Sequence, residues 1–110
     1  MLPRTALSPR DRERYSRLHQ LLREPGLIRG NLVEMRRRCG KRTCRCQGDP
    51  AARHCSLYLG LSLNGKRRMV YIPAEWETPV REWAARYARV RDLLEQISLA
   101  FLSRLEKRKR

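Results

Sequence analysis

All four cysteines of the 110-residue chain lie in the segment from Cys39 to Cys55, which we call the cysteine loop. Cys39, Cys44 and Cys46 follow the spacing C-x4-C-x-C, and after seven further residues come His54 and Cys55. Thiolate sulfur and neutral imidazole nitrogen are the donors that Zn²⁺ prefers, and a structural site uses four of them in a tetrahedron. Three cysteines plus one of the last two residues complete that set. The cluster therefore predicts a closed, structural Zn²⁺ site.

Either of two adjacent residues, His54 or Cys55, could be the fourth zinc ligand. If the segment is extended, the side chains of His54 and Cys55 point to opposite sides of the chain, so only one of them easily reaches the metal. A thiolate is the stronger donor for zinc, which favours Cys55 when the residues alone are considered.

The start of the chain indicates the compartment. The first ten residues, MLPRTALSPR, contain no apolar stretch of the kind found in signal peptides, and no segment approaches the length of a membrane span. We therefore expect a cytoplasmic protein without a membrane partner. Thiols stay reduced in the cytoplasm, so metal ligation is favoured over a disulfide or redox role for the cysteines.

The charge of the chain indicates a polyanionic partner. Lys and Arg number 26 against 11 Asp and Glu, a formal net charge of +15. Such a field concentrates nucleic acid, DNA or RNA, at the protein surface. If the cysteine loop and the following turn lie side by side, their basic residues form one surface for phosphates, beside two tyrosines that could stack on bases. The predicted contact residues are Arg36, Arg37, Arg38, Lys41, Arg42, Arg45, Lys66, Arg67, Arg68, Tyr58 and Tyr71.

Those residues have plainer alternatives. The basic side chains could be a solvated rim around an acidic metal site, and the tyrosines could pack in a core. An enzyme is not expected, because the chain has two histidines, no motif that pairs carboxylates and no glycine-rich phosphate loop.

Local signals predict the elements that hold these residues. Ser8-Pro9 is typical of a helix start and Pro25-Gly26 of a helix end, so a helix is expected over 8–24. A short strand should precede Cys39, and Asn64-Gly65 predicts a two-residue hairpin turn. The predicted hairpin pairs are Leu57 with Ile72, Tyr58 with Tyr71, Leu59 with Val70 and Gly60 with Met69.

The last third of the chain predicts one long amphipathic helix over 79–107. Its apolar stripe has heptad-like spacing: Val80, Trp83, Tyr87, Val90, Leu94, Ile97 and Phe101. The stripe can pack within its own chain, on a second copy in a homodimer, or on another protein. The expected fold is α+β in a single small domain, 1–110, with a helix (8–24), a small antiparallel sheet carrying a zinc loop (30–73) and a long helix (79–107).

The cysteine loop and hairpin together resemble a family of small prokaryotic proteins of unknown function, from about Gly30 through the C-terminal helix. The matching residues are Leu32, Val33, Glu34, Cys39, Gly40, Lys41, Cys44, Cys46, His54, Gly65, Lys66, Val70, Tyr71, Ile72 and Pro73. The family pattern has Gly-Pro-Tyr after the histidine, where this chain has Cys55-Ser56-Leu57.

The resemblance implies Cys39, Cys44, Cys46 and His54 as zinc ligands, with Cys55 as the alternate. It also implies an accessory protein of a mobile genetic element, because the family is often met beside transposases. The sequence thus leads us to expect a non-catalytic, zinc-binding, nucleic-acid-binding protein. The alternative is an adaptor that docks a transposase or an RNA-guided nuclease through its long helix.

Overall fold

The computed structural model describes residues 7–37, 43, 45–49 and 54–108. The helices and strands follow in the order α1 (Pro9–Arg23), β1 (Asn31–Arg37), β2 (His54–Leu63), β3 (Lys66–Ile72) and α2 (Glu77–Arg108), with short 3-10 turns at Arg45–Gln47 and Ala74–Trp76. The predicted α+β class and element order are confirmed. The zinc loop of that prediction falls mostly outside the described residues.

Helix α1 begins as its sequence predicts. The hydroxyl oxygen of Ser8 accepts a hydrogen bond from the backbone N–H of Asp11 at 3.2 Å, and Pro9 occupies the first turn, where its missing N–H costs no helical bond. The chain becomes extended at Glu24, and Gly26 then adopts a φ of 103°. This positive φ suits a residue without Cβ, so the glycine turns the chain away from the helix.

The three strands form one antiparallel sheet in the order β1-β2-β3. Asn64 and Gly65 both have positive φ, 51° and 79°, as the favoured two-residue hairpin turn requires. That turn fixes the pairing of β2 with β3, and all four predicted pairs are confirmed: Leu57 with Ile72, Tyr58 with Tyr71, Leu59 with Val70 and Gly60 with Met69.

One face of the sheet holds a small hydrophobic core. Leu57, Leu59 and Ile72 are buried there together with Val80 of α2. Four half-buried side chains complete the cluster: Ile28, Leu32, Leu61 and Trp83. Alternation along the strands places Tyr58 and Tyr71 on the opposite face, where Tyr71 is 55% exposed.

The chain forms two compact units. One, Ile28–Ala84, contains the sheet and the first turns of α2; the other combines Met1–Leu27 with Ala85–Arg110. The prediction of a single domain is not tested by this division and stays a prediction.

We call the unit that combines Met1–Leu27 with Ala85–Arg110 the helical unit. Its buried stripe on α2 differs in one position from the predicted heptad spacing. Val90, Leu93 and Ile97 are buried, whereas Leu94 is 52% exposed. A straight helix has 3.6 residues per turn, so its buried face drifts away from a strict heptad by about 20° in each repeat. Leu93 is thus buried beside the predicted stripe, while the exposed Leu94 leaves open whether that part of the stripe packs on a partner.

Polar contacts join α1 to the distal part of α2. Asp11, 3% exposed, accepts hydrogen bonds from Arg14 at 3.1 Å and from Arg104 at 3.0 Å. Near the other end of α1, Arg86 donates to the carbonyl oxygens of Pro25 and Gly26. The start of α1 thus meets the end of α2, and the two helices run antiparallel.

Within the described residues, no helix has both the length and the apolar character needed to cross a membrane. Helix α2 has 32 residues, but charged side chains occur throughout it.

Candidate nucleic-acid interface

Strands β1 and β2 hold both ends of the cysteine loop. Arg37 pairs with His54 and Arg36 with Cys55, at the end of the sheet where the loop leaves and returns. Paired residues in an antiparallel sheet lie about 4.5 to 5.5 Å apart between their Cα atoms. The register thus anchors the ends of this segment, which lowers the entropy that a metal-binding loop must lose.

Several predicted residues of the loop lie outside the described part of the chain: Cys39, Cys44, Arg38, Lys41 and Arg42. Only the backbone of Cys46 is described, in the turn Arg45–Gln47. Among the described residues, no group of three metal-binding side chains lies together.

The two candidates for the fourth ligand alternate along β2. Cys55 occupies the same sheet face as Leu57 and has a free, exposed thiol, while His54 holds a position on the face of Tyr58. The donor types and the anchored loop ends fit a zinc site. The choice between the two donors stays open.

The hairpin turn carries the basic residues that are described most fully. Lys66, Arg67 and Arg68 follow the turn and are exposed. Arg29 lies nearby, because its Nη2 donates to the carbonyl oxygen of Ser62 at 2.9 Å. We call Arg29, Lys66, Arg67 and Arg68 the basic tip.

The neighbourhood of the basic tip lacks compensating charge in the sequence. Residues 54–74 contain three basic and no acidic residues. Sequence reasoning missed Arg29, since it lies before β1 and only the pairing of β1 with β2 brings it beside Ser62.

The basic tip and the paired strand residues at the ends of the cysteine loop, Arg37 and His54, lie at opposite ends of β2. Strand β2 has 10 residues and runs from the cysteine loop to the hairpin turn, so the two ends are separated by roughly 30 Å at 3.3 Å per residue. The expectation of one merged surface from both basic clusters depends on loop residues 38–42, 44 and 50–53, which lie outside the described part of the chain, so it stays a prediction.

At the cysteine-loop end, two further predicted residues are described. The side chains of Arg36 and Arg45 are both exposed. Arg45, 87% exposed, lies 4.0 Å from Asp49, a separation that makes a weak ion pair in water. Both arginines can face solvent-borne phosphates.

The sheet face opposite the core carries aromatic and cationic groups. The rings of Tyr58 and Tyr71 lie edge to face, with centroids 5.7 Å apart. A Cβ built on Gly60 would lie 2.7 Å from Nη2 of Arg67 and 3.0 Å from the sulfur of Met69, so these two side chains cover the glycine. We call Tyr58, Gly60, Arg67, Met69 and Tyr71 the aromatic face.

Comparisons with known proteins identify a family. No curated protein and no solved structure matches the chain. A family model described as a domain of unknown function, DUF6788, matches residues 8–82, from the N-cap of α1 to the first turns of α2. The match includes α1, which the resemblance from Gly30 onward did not cover. The chain therefore belongs to the DUF6788 family.

Proposed function

We propose that the protein is a non-catalytic, zinc-binding accessory protein that binds nucleic acid, DNA or RNA, through the basic tip. The exposed cluster of Lys66, Arg67 and Arg68 at the end of a rigid hairpin, in a stretch without acidic residues, carries the proposal. A guanidinium group donates to phosphate oxygens in a bidentate geometry, and each phosphate contact releases condensed counterions. The hairpin presents these donors on a fixed backbone, which reduces the entropy lost on binding.

The test of this function compares two variants of equal charge. Lys66→Gln with Arg68→Gln removes two charges from the basic tip, and Arg10→Gln with Arg12→Gln removes two exposed charges from α1. Fluorescence anisotropy with a labelled oligonucleotide gives the affinity at several salt concentrations.

We expect the basic-tip variant to bind more weakly and its slope of log affinity against log salt to fall by about 1.4 to 1.8, which is two phosphate contacts. The α1 variant should change both quantities much less. Equal effects of the two variants would show that only total charge matters, and an absence of salt-dependent binding would refute the proposal.

Zinc in this proposal has a structural role at the opposite end of the sheet. Cys39, Cys44 and Cys46 would hold it with His54, or with Cys55 as the alternate. A bound Zn²⁺ would cross-link the loop to β2 and contribute its binding free energy to folding.

The zinc assignment is tested by replacing one cysteine at a time. Cys44→Ser should release about one equivalent of metal and lower the melting temperature, because the loop loses its cross-link. Cys55→Ser distinguishes the two candidates for the fourth ligand. The variant should retain zinc if His54 is that ligand and release zinc if the thiolate of Cys55 is that ligand. Metal content by mass spectrometry and circular dichroism provide the readouts. Retention of zinc and of stability by Cys44→Ser would contradict the assignment.

A separate observation, the exposed leucines of α2, favours a second candidate function. The distal half of α2 exposes four leucines that extend from the edge of its buried stripe to the opposite side of the helix: Leu94 at 52%, Leu99 at 54%, Leu102 at 46% and Leu105 at 57%. An amphipathic helix face of this kind could dock a transposase or an RNA-guided nuclease. The mobile-element association comes from the family resemblance. Co-purification with a co-expressed transposase that is lost in the variant Leu102→Glu would favour this function. If a second copy of the chain covers the leucines instead, the mass measured in solution should be twice that of one chain.

A further inference from the structure

We propose that the aromatic face binds an unpaired nucleobase, which makes single-stranded nucleic acid the preferred ligand. This inference rests on the proposed function and names its substrate class. The tyrosines lie on the face opposite the core: Leu57 and Leu59, on the other side of the same strand, are 2% and 4% exposed, whereas Tyr71 is 55% exposed. Exposed tyrosine rings on a sheet are typical platforms for bases of single strands.

The geometry of the two rings suits stacking. Tyr58 and Tyr71 are directly paired across β2 and β3, and their rings meet at 67°. In this arrangement the rings support each other without stacking on one another. Since more than half of Tyr71 is exposed, the phenol can stack on a planar base that approaches from solvent.

A cation lies beside the rings on the same face. Gly60 has no side chain, and the guanidinium group of Arg67 occupies the space where its Cβ would be. Gly60 is two residues from Tyr58 on the same face of β2, roughly 7 Å away, so the guanidinium group over Gly60 lies close enough to the tyrosines for one nucleotide to contact both groups. Arg67 belongs to both the basic tip and the aromatic face, so it can bind a phosphate of the strand whose base stacks on Tyr71.

Charge complementarity distinguishes this occupant from others. The strands that form the aromatic face contribute Lys66, Arg67 and Arg68 and no carboxylate. A second copy of the same face would bring like charges together, which is unfavourable. A double helix hides the faces of its bases within the stack, so only an unpaired base can use the tyrosine rings.

The experiment uses the full-length protein and a 12-nucleotide single strand that contains one 2-aminopurine, together with the matching duplex. Tyr71→Leu removes the exposed ring, and circular dichroism checks that the variant folds. We expect quenching of 2-aminopurine by the wild type and loss of quenching in the variant. Affinity for the single strand should fall between about 5-fold and 100-fold, as removal of one stacking residue does. Affinity for the duplex and the salt slope should change little.

A second variant tests the placement of Arg67. In Gly60→Ala the new methyl group displaces the ends of two flexible side chains, so the fold is retained while the guanidinium group moves off the face. We expect weaker single-strand binding with unchanged melting temperature.

The outcomes separate the two proposals. If single strand and duplex bind equally and Tyr71→Leu has no effect, nucleic-acid binding stands and the aromatic face is refuted. If neither binds, both proposals fail. If Tyr71→Leu converts a dimer into a monomer, the face is a self-association surface and the inference is wrong.

Discussion

Removal of the buried carboxylate of Asp11 should destabilise the helical unit. Asp11 lies in the first turn of α1, and its side chain is only 5% exposed. It binds Arg14 at 3.1 Å on its own helix and Arg104 at 3.0 Å on α2. The substitution Asp11→Asn keeps the size of the side chain and removes its charge, so it weakens both contacts without opening a cavity.

The expected loss of stability depends on how far the side chains of Arg14 and Arg104 are exposed to water. Loss of one partner of a fully buried ion pair costs about 3 to 5 kcal/mol, because a charge is left without compensation. Here the side chains of Arg14 and Arg104 are 29% and 35% exposed, so water can partly solvate them after the change. Hydrogen bonds to charged groups contribute about 1.5 to 3 kcal/mol each. We therefore expect a loss of about 2 to 3 kcal/mol in the free energy of unfolding.

The matched control lies on the same helix. Glu13 forms an ion pair with Arg17 at 3.9 Å, and both side chains are more than two thirds exposed, 68% and 69%. Exposed pairs contribute about 0.2 to 1 kcal/mol, so Glu13→Gln should cost well under half as much as Asp11→Asn. Both substitutions remove one negative charge, which keeps the net charge of the two variants equal.

Urea denaturation, monitored by circular dichroism at 222 nm, measures the free energy of unfolding of the wild type and both variants. A loss of about 2 kcal/mol should lower the melting temperature by about 8 to 16 °C in a domain of this size. A double-mutant cycle with Arg104→Gln isolates the pair, and its coupling energy should be at least about 1 kcal/mol. If Asp11→Asn costs no more than Glu13→Gln, the buried carboxylate does not hold the two helices together and the reasoning is refuted.

Further predictions concern backbone geometry and the end of α1. Gly30 has a φ of +147°, and a Cβ there would lie 2.8 Å from the side chain of Leu59, so Gly30→Ala should cost about 1 to 3 kcal/mol in urea denaturation. Gly48→Ala, where a Cβ meets no atom within 4 Å, should cost far less, and equal costs would contradict the steric argument. Arg86→Gln should cost about 1.5 to 3 kcal/mol, because two carbonyl oxygens at the end of α1 lose a charged donor. Arg91→Gln, at an exposed position of the same helix, is its control in thermal unfolding.

Short-range signals in the sequence predicted the local structure well. Ser8-Pro9 placed the start of α1 within one residue, and Asn64-Gly65 fixed both the turn and the register of the hairpin. These signals succeed because a capping hydroxyl or a pair of residues with positive φ acts on its immediate neighbours. The alternating pattern then placed Leu57 and Leu59 on one side of the hairpin and Tyr58 and Gly60 on the other.

Long-range relations could not be predicted in the same way. Asp11 lies in the first turn of α1, yet one of its two partners, Arg104, is 93 positions away in the chain. The burial of Leu93 instead of Leu94 depends on how α2 turns as it packs, since the two residues are equally apolar. Nothing in the local sequence gives this rotation.

The course of β2 also bears on how the proposed zinc site and the proposed nucleic-acid contacts would influence each other. The strand places the position of His54 roughly 30 Å from the hairpin turn that carries the basic tip. The shape of the tip depends on Asn64-Gly65 and on the core beneath β2 and β3, which among the described residues consists of aliphatic side chains and Trp83. If both proposals hold, loss of zinc should weaken nucleic-acid binding through the stability of the sheet and through the basic residues near the cysteines, whereas the tip should keep its own contacts while the fold persists.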